Sequence, residues 1–290
     1  MESRVIDVEG VGTYLLEDGA GAPLVLVHGS GPGITASMSW LPVMEPLAAA
    51  GRRVIAVDMP GYGKSAPLQD ADTPVNVAAH LEKLLDTLGI GEATVVGHSR
   101  GGRIATELAI RAPERLTSLS VIASGSVAPG GHLNDDGTWT EAAVALVNFG
   151  RDGDLSFEKF RDAYATHLFD KTALDDILAA AYEDAISSGV LAHFVEQMQV
   201  NDPLNYYHKQ DTDGFIAKLR SIQMPTLVVW GREDECSSYQ KGLGLVDVIP
   251  DIEFALLPRC GHFVMADQPR RFSSILSGFL DGVDAKASVR

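Results

Sequence analysis

The chain has 290 residues, and 23 Lys plus Arg stand against 39 Asp plus Glu, a net charge of −16. That balance argues against non-specific binding to nucleic acid or to an anionic membrane surface, since both need a basic face. Hydrophobic residues at 46% give ordinary globular composition, and two cysteines, Cys236 and Cys260, exclude a disulfide framework and a Cys-rich zinc or iron–sulfur site.

Arg4–Val8 and Gly12–Leu16 alternate and read as a β-hairpin. Leu24–Val27 follows as a short apolar run. Similar runs recur at Arg53–Asp58, Ala93–Val96, Leu119–Ile122, Thr226–Trp230 and Ile252–Leu257. Unalternated β-branched runs mark strands buried on both faces, as in a parallel sheet. Between them, Val75–Leu88, Arg103–Ala112 and Phe272–Leu280 carry apolar residues at helical spacing. This alternation predicts an α/β fold with a doubly wound, mostly parallel sheet. From Ala128 to Asp213 no buried-strand run occurs; helical patterns fill it, at Ala142–Val147, Phe157–Leu168, Leu174–Ala185 and Val190–Met198. Phe215–Ile222 then reads as a helix leading back to the sheet. The expected organisation is a core of residues 1–127 and 214–290 with an inserted helical cap, 128–213, over the sheet's carboxyl edge, where open α/β sheets bind ligands.

Gly97-His98-Ser99-Arg100-Gly101 is G-x-S-x-G, set directly after a strand run and before a helical pattern. A serine there sits on a sharp strand-to-helix turn, with its hydroxyl clear of the sheet and a helix N-terminus behind it. A serine hydroxyl is a weak nucleophile and needs a base, which in turn needs an orienting acid. In this topology the chain order is Ser, acid, His. His262 is the only histidine after residue 208, so it is the candidate base. Glu233, Asp234 and Glu235 all follow the Thr226–Trp230 run, and the pattern alone does not choose among them. His28-Gly29-Ser30-Gly31-Pro32-Gly33 can turn backbone N–H groups toward an oxyanion, together with the N–H of Arg100. It does not fit the dinucleotide pattern, because Ile34 stands where the third glycine belongs. Gly63-Lys64-Ser65 does not fit a phosphate loop, because Asp58 stands where the first glycine belongs. His80, His132, His167, His193 and His208 are isolated in sequence and read as ordinary surface or core residues. Cys260, Trp40, Trp139 and Trp230 read as packing. The Arg100 guanidinium is expected to pair with a cap acid.

Over residues 20 to 283 the chain resembles the α/β-hydrolase superfamily, through His28–Gly33, Asp58–Ser65, Gly97–Gly102, Trp230–Asp234 and Cys260-Gly261-His262. Within it, the H-G-S-G-P-G loop and the C-G-H segment are most similar to the meta-cleavage-product hydrolases, which cleave a carbon–carbon bond in vinylogous 1,5-diketones. The resemblance implies Ser99 as nucleophile, His262 as base, Asp234 as acid, Ser30, Gly31 and Arg100 as oxyanion donors, and a helical cap. It implies a substrate-contacting role for the positions of Ser39, Trp40, His98 and Phe263, and here the chain departs from the family. His98 and Ser39 stand where Asn is common, Phe263 where Trp is usual, and Ala185–Gly189 offers no cap arginine. A buried carboxylate without a partner is costly, so these departures predict a less charged, more apolar substrate, suited to Phe263, Phe194 and Met198. No metal or cofactor is expected, and the partner is a small-molecule substrate, with homodimerisation left open. An esterase, lactonase or thioesterase is the alternative activity. A cofactor-free oxygenase or lyase, or a ligand-binding protein, on the same fold are the rivals. With no apolar run near the ~20 residues of a membrane span and no signal core after Met1, the expected location is the cytoplasm.

Overall fold

A computed structural model describes residues 1–128, 130–171, 174–200 and 212–287. The opening hairpin forms β1 (Glu2–Val8) and β2 (Val11–Asp18), paired antiparallel. The apolar runs become β3 (Ala22–Val27), β4 (Arg52–Val57), β5 (Ala93–His98), β6 (Leu116–Ile122), β7 (Thr226–Gly231) and β8 (Ile252–Leu257). Together they form one eight-stranded sheet in the order β1-β2-β4-β3-β5-β6-β7-β8. The β2–β4 pair is antiparallel and every later pair is parallel. β5 and β7 are buried along their whole length, as unalternated apolar runs require, while edge strand β1 exposes alternate residues.

Helices cover the sheet: α1 (Ala36–Ala49), α2 (Pro74–Thr87), α3 (Arg100–Arg111) and, near the C-terminus, α11 (Pro269–Ala287). Helix α1 escapes sequence reading because Pro42 and Pro46 lie inside it. Each proline removes a backbone N–H and costs about 3 kcal/mol in a helix interior. Burial of Trp40, Val43, Met44 and Leu47 offsets this, at about 1.5–3 kcal/mol per large apolar side chain. The Thr35 hydroxyl caps its start by accepting from the Met38 N–H at 3.1 Å.

Between β6 and β7 lie α4 (Glu141–Asn148), α5 (Phe157–Tyr164), α6 (Leu174–Ser187), α7 (Val190–Val200) and α8 (Thr212–Leu219). The expected helix to Leu168 stops at Tyr164, and the chain turns there, with the His167 N–H donating to the Tyr164 carbonyl at 2.9 Å. The helix expected at Phe215–Ile222 lies about one turn earlier. Two short helices, α9 (Tyr239–Leu243) and α10 (Val264–Asp267), follow β7 and β8. This helical segment between β6 and β7 meets the Gly-rich loop after β3. The Tyr164 hydroxyl donates to the Pro32 carbonyl at 2.7 Å, inside an aromatic cluster with Phe160 and Phe263. Among the described residues no helix is long and apolar enough to cross a membrane.

Candidate active site

Ser99 joins β5 to α3 with φ 52° and ψ −121°, a conformation a residue with a side chain adopts only under constraint. Three bonds hold it. Its N–H donates to the Ile122 carbonyl at 2.9 Å, and its own carbonyl accepts from the Ser124 hydroxyl at 2.5 Å and the Gly102 N–H at 2.9 Å. Ser124 is a supporting residue that no sequence pattern marks. Arg100 opens α3, so its N–H belongs to the first turn, where helical donors have no intrahelical partner. Its guanidinium is engaged by Asp72 at 2.7 Å. Asp72 lies in the loop just before α2, which packs beside α3.

The loop after β3 lies against the elbow. Its first residue, His28, is fully buried; Nδ1–H donates to the Gly29 carbonyl at 2.7 Å and Nε2 accepts from the Met59 N–H at 3.0 Å. Burial pushes its pKa down to about 4, so the ring is a neutral strut. A Cβ at Gly29 would sit 3.0 Å from the Ser99 Cβ and 3.1 Å from His98 Nδ1, so any side chain here would press on the elbow by a few tenths of an ångström. Ser30 and Gly31 follow directly, beneath Tyr164. Asp58 ties the loops together, accepting from the Ala36 N–H at 2.7 Å and the Lys64 N–H at 2.9 Å. The Asp58–Ser65 stretch is therefore scaffold here.

Of the three acids after β7, Asp234 alone meets the histidine. Its Oδ2 accepts from His262 Nδ1 at 2.8 Å, while Oδ1 accepts from the Cys236 and Ser237 N–H groups, each at 2.9 Å. Glu233 instead accepts from the Cys260 N–H at 3.0 Å, and Glu235 is exposed. Loss of water pushes the Asp234 carboxyl up, to about 7, against the pull of the two amide donors. It pushes His262 down, to about 3, so the imidazole is neutral. With the proton on Nδ1 facing Asp234, Nε2 is left as a base.

His98, the residue before Ser99, packs its ring 4.8 Å from that of His262 and 4.9 Å from that of Phe263. Its Nε2–H donates to the His262 carbonyl at 3.0 Å, which fixes the tautomer and leaves Nδ1 buried without a partner among the described residues. Burial, with His262 beside it, holds the ring well below the usual histidine range. Strand ends β5, β7 and β8 thus bring Ser99, Asp234 and His262 to one sheet edge.

Trp40 is fully buried against Phe272 of α11, ring centroids 6.3 Å apart, so it packs the core, as its own reading expects and unlike the substrate contact that the resemblance implies; Ser39, beside it on α1, is buried too, with no partner for its hydroxyl among the described residues. His167 is buried in the core, as expected, but it also stands next to the candidate base. It comes from the segment between α5 and α6, its ring lies 5.6 Å from that of His262, and burial brings its pKa to about 3. Ninety-odd residues of sequence separate the two, so no local pattern links them. His132 lies farther out, stacked on Trp139, and His193 lines a cleft with Gly61 and Phe194. His208 falls outside the described residues. No group of three or more His, Cys, Asp or Glu able to hold a metal occurs among the described residues.

This architecture has known counterparts. The model of the alpha/beta hydrolase fold matches residues 22–269. The chain is 35% identical over 289 residues to 2-hydroxymuconate semialdehyde hydrolase of Pseudomonas sp. strain CF600, covering 98% of this chain and 95% of that one. It is 32% identical over 268 residues to a 2-hydroxy-6-oxononadienedioate/2-hydroxy-6-oxononatrienedioate hydrolase of Cupriavidus pinatubonensis, covering 91% and 89%. Among solved structures, the meta-cleavage product hydrolase CumD of Pseudomonas fluorescens IP01 superposes with a TM-score of 0.80 at 25% identity, over 97% of this chain and 98% of that one. With the nucleophile-elbow geometry, the buried Asp–His pair and near-full-length identity in agreement, the chain is a hydrolase of the alpha/beta hydrolase fold family and belongs with its meta-cleavage product hydrolases.

Proposed function

We propose that the enzyme hydrolyses a carbon–carbon bond in a 2-hydroxy-6-oxo-dienoate of the kind made by aromatic ring fission, with Ser99, His262 and Asp234 as its triad. The observation that carries this reading is the buried 2.8 Å Asp234–His262 pair on the same sheet edge as the strained Ser99 elbow. The dienol first becomes the keto form, which makes the departing fragment a stabilised carbanion. His262 Nε2 takes the Ser99 proton as Oγ adds to the distal carbonyl, and the oxyanion rests on the N–H of Arg100 and of Ser30 or Gly31. Collapse breaks the carbon–carbon bond, the carbanion is protonated, and an acyl-serine remains. Water, deprotonated by His262, frees the acid.

The relatives divide by substrate charge: a semialdehyde carries one carboxylate and a dioate carries two. Neutral His98, apolar Phe263 and an Arg100 already paired with Asp72 favour the singly charged class, with an aldehyde or short ketone at the cleaved end. The same features favour, as the second reading, hydrolysis of an uncharged ester or lactone. We also place the enzyme in the cytoplasm, where buried free thiols such as Cys236 and Cys260 stay reduced.

The test compares kcat/KM for a ring-fission semialdehyde, a ring-fission dicarboxylate and p-nitrophenyl butyrate in wild type and Ser99→Ala. Semialdehyde turnover above both others, abolished in a folded Ser99→Ala, is the expected result. A fully active Ser99→Ala would remove nucleophilic catalysis, and preference for the ester would select the second reading.

A further inference from the structure

We infer that Asp267 is a positioning residue that makes docking of the cap and placement of the catalytic base one event. The inference rests on His262 being that base. The segment Gly261-His262-Phe263 runs from β8 toward α10, and the cap receives two of its amides. The N–H groups of His262 and Phe263 both donate to one carbonyl, that of His167, at 2.8 Å and 3.2 Å. The third amide, Gly261 N–H, donates to Asp267 Oδ2 at 2.7 Å. The same carboxylate accepts from the cap: the Phe169 N–H lies 3.0 Å from Oδ2 and 3.1 Å from Oδ1, and the Asp170 N–H lies 3.1 Å from Oδ1. One side chain therefore grips the base's loop and the cap segment together.

The two strands of chain cross in close contact. A Cβ at Gly261 would sit 2.7 Å from the His167 carbonyl oxygen and 3.1 Å from the Phe169 nitrogen. The base is thus held at both ends of its residue. Its N–H is held by the cap, and its C=O by His98 Nε2 from the elbow at 3.0 Å. If the cap segment lifts, His262 and Phe263 lose the acceptor for both amides, and the backbone that carries the imidazole is held at one end only, by His98. The physical consequence is that even a substrate too small to touch the cap needs the cap docked.

The experiment uses the full-length enzyme, with Asp267→Asn and Asp267→Glu. Asn keeps one acceptor oxygen but turns an amide donor toward N–H groups; Glu keeps the carboxylate. Backbone hydrogen exchange is followed in peptides covering 167–170, 260–264 and, as a reference, β5. Kinetics are measured with p-nitrophenyl acetate, whose acyl group carries a single methyl. In Asp267→Asn the two segments should lose protection together, by roughly tenfold or more, while β5 does not change. The kcat should fall about 10- to 100-fold, with KM within about twofold, and Asp267→Glu should recover part of kcat. The proposal is overturned if only 167–170 loses protection, if both segments loosen while kcat holds, or if kcat falls with both still protected. A His262→Ala control separates the two readings: if it retained full turnover, the base assignment would fall, while the exchange data would still decide whether the clamp exists.

Discussion

Replacing Asp234 by asparagine should reverse the tautomer of His262 without disturbing the fold. The structure dictates how the amide sits. Oδ1 accepts two backbone N–H groups, from Cys236 and Ser237, each at 2.9 Å, and an NH2 placed there would face two donors. The asparagine oxygen must keep that end, so the NH2 turns toward His262 Nδ1, 2.8 Å away in the native pair. An N–H facing Nδ1 requires Nδ1 to accept, which moves the imidazole proton to Nε2. The nitrogen that should take the Ser99 proton then already carries one. The expected loss in kcat is about 10⁴-fold, or about 5 kcal/mol of transition-state stabilisation. Asp234 acts through His262 and is spent on it and on two backbone amides, so KM should stay within about threefold. The backbone bonds to Oδ1 survive, so stability should change by only about 1–2 kcal/mol. Steady-state kinetics on the ring-fission semialdehyde, the rate of Ser99 labelling by a fluorophosphonate and a urea unfolding curve give the three readouts. A kcat within about tenfold of wild type, in a folded protein, would refute the assignment of Asp234 as the orienting acid and with it the forced tautomer.

Three further outcomes follow from the same geometry. Gly29→Ala places a methyl 3.0 Å from the Ser99 Cβ and should lower kcat about 10- to 100-fold by shifting the elbow, which a labelling-rate assay checks directly. Tyr164→Phe removes the donor to the Pro32 carbonyl and should cost about 1–2 kcal/mol in urea unfolding, with a raised KM as the cap loosens on the Gly-rich loop. On pH, burial lowers His262 from 6.5 and raises the Asp234 carboxyl to about 7, so as pH falls the carboxylate is protonated before the imidazole and an acid limb near 7 in kcat/KM should belong to Asp234; the same limb persisting in the residual activity of Asp234→Asn would contradict that assignment.

Strand–helix alternation, the G-x-S-x-G turn and the order Ser, acid, His were legible in the sequence because each is a local or linear pattern. Unalternated runs such as Thr226–Trp230 announce a buried parallel strand, and glycines flanking Ser99 announce a backbone that bends there. Helix α1 was hidden because tertiary burial of Trp40 and Leu47 overrides two prolines, a balance no propensity records. The choice of Asp234 over Glu233 and Glu235 came from the fold, since only the path of the loop aims one carboxylate inward at His262. Ser124 under the elbow, His167 beside His262 and the Asp267 clamp were likewise settled in space. Each joins residues from separate elements, or acts through backbone groups that carry no residue identity, and a linear string of side chains cannot express either kind of contact.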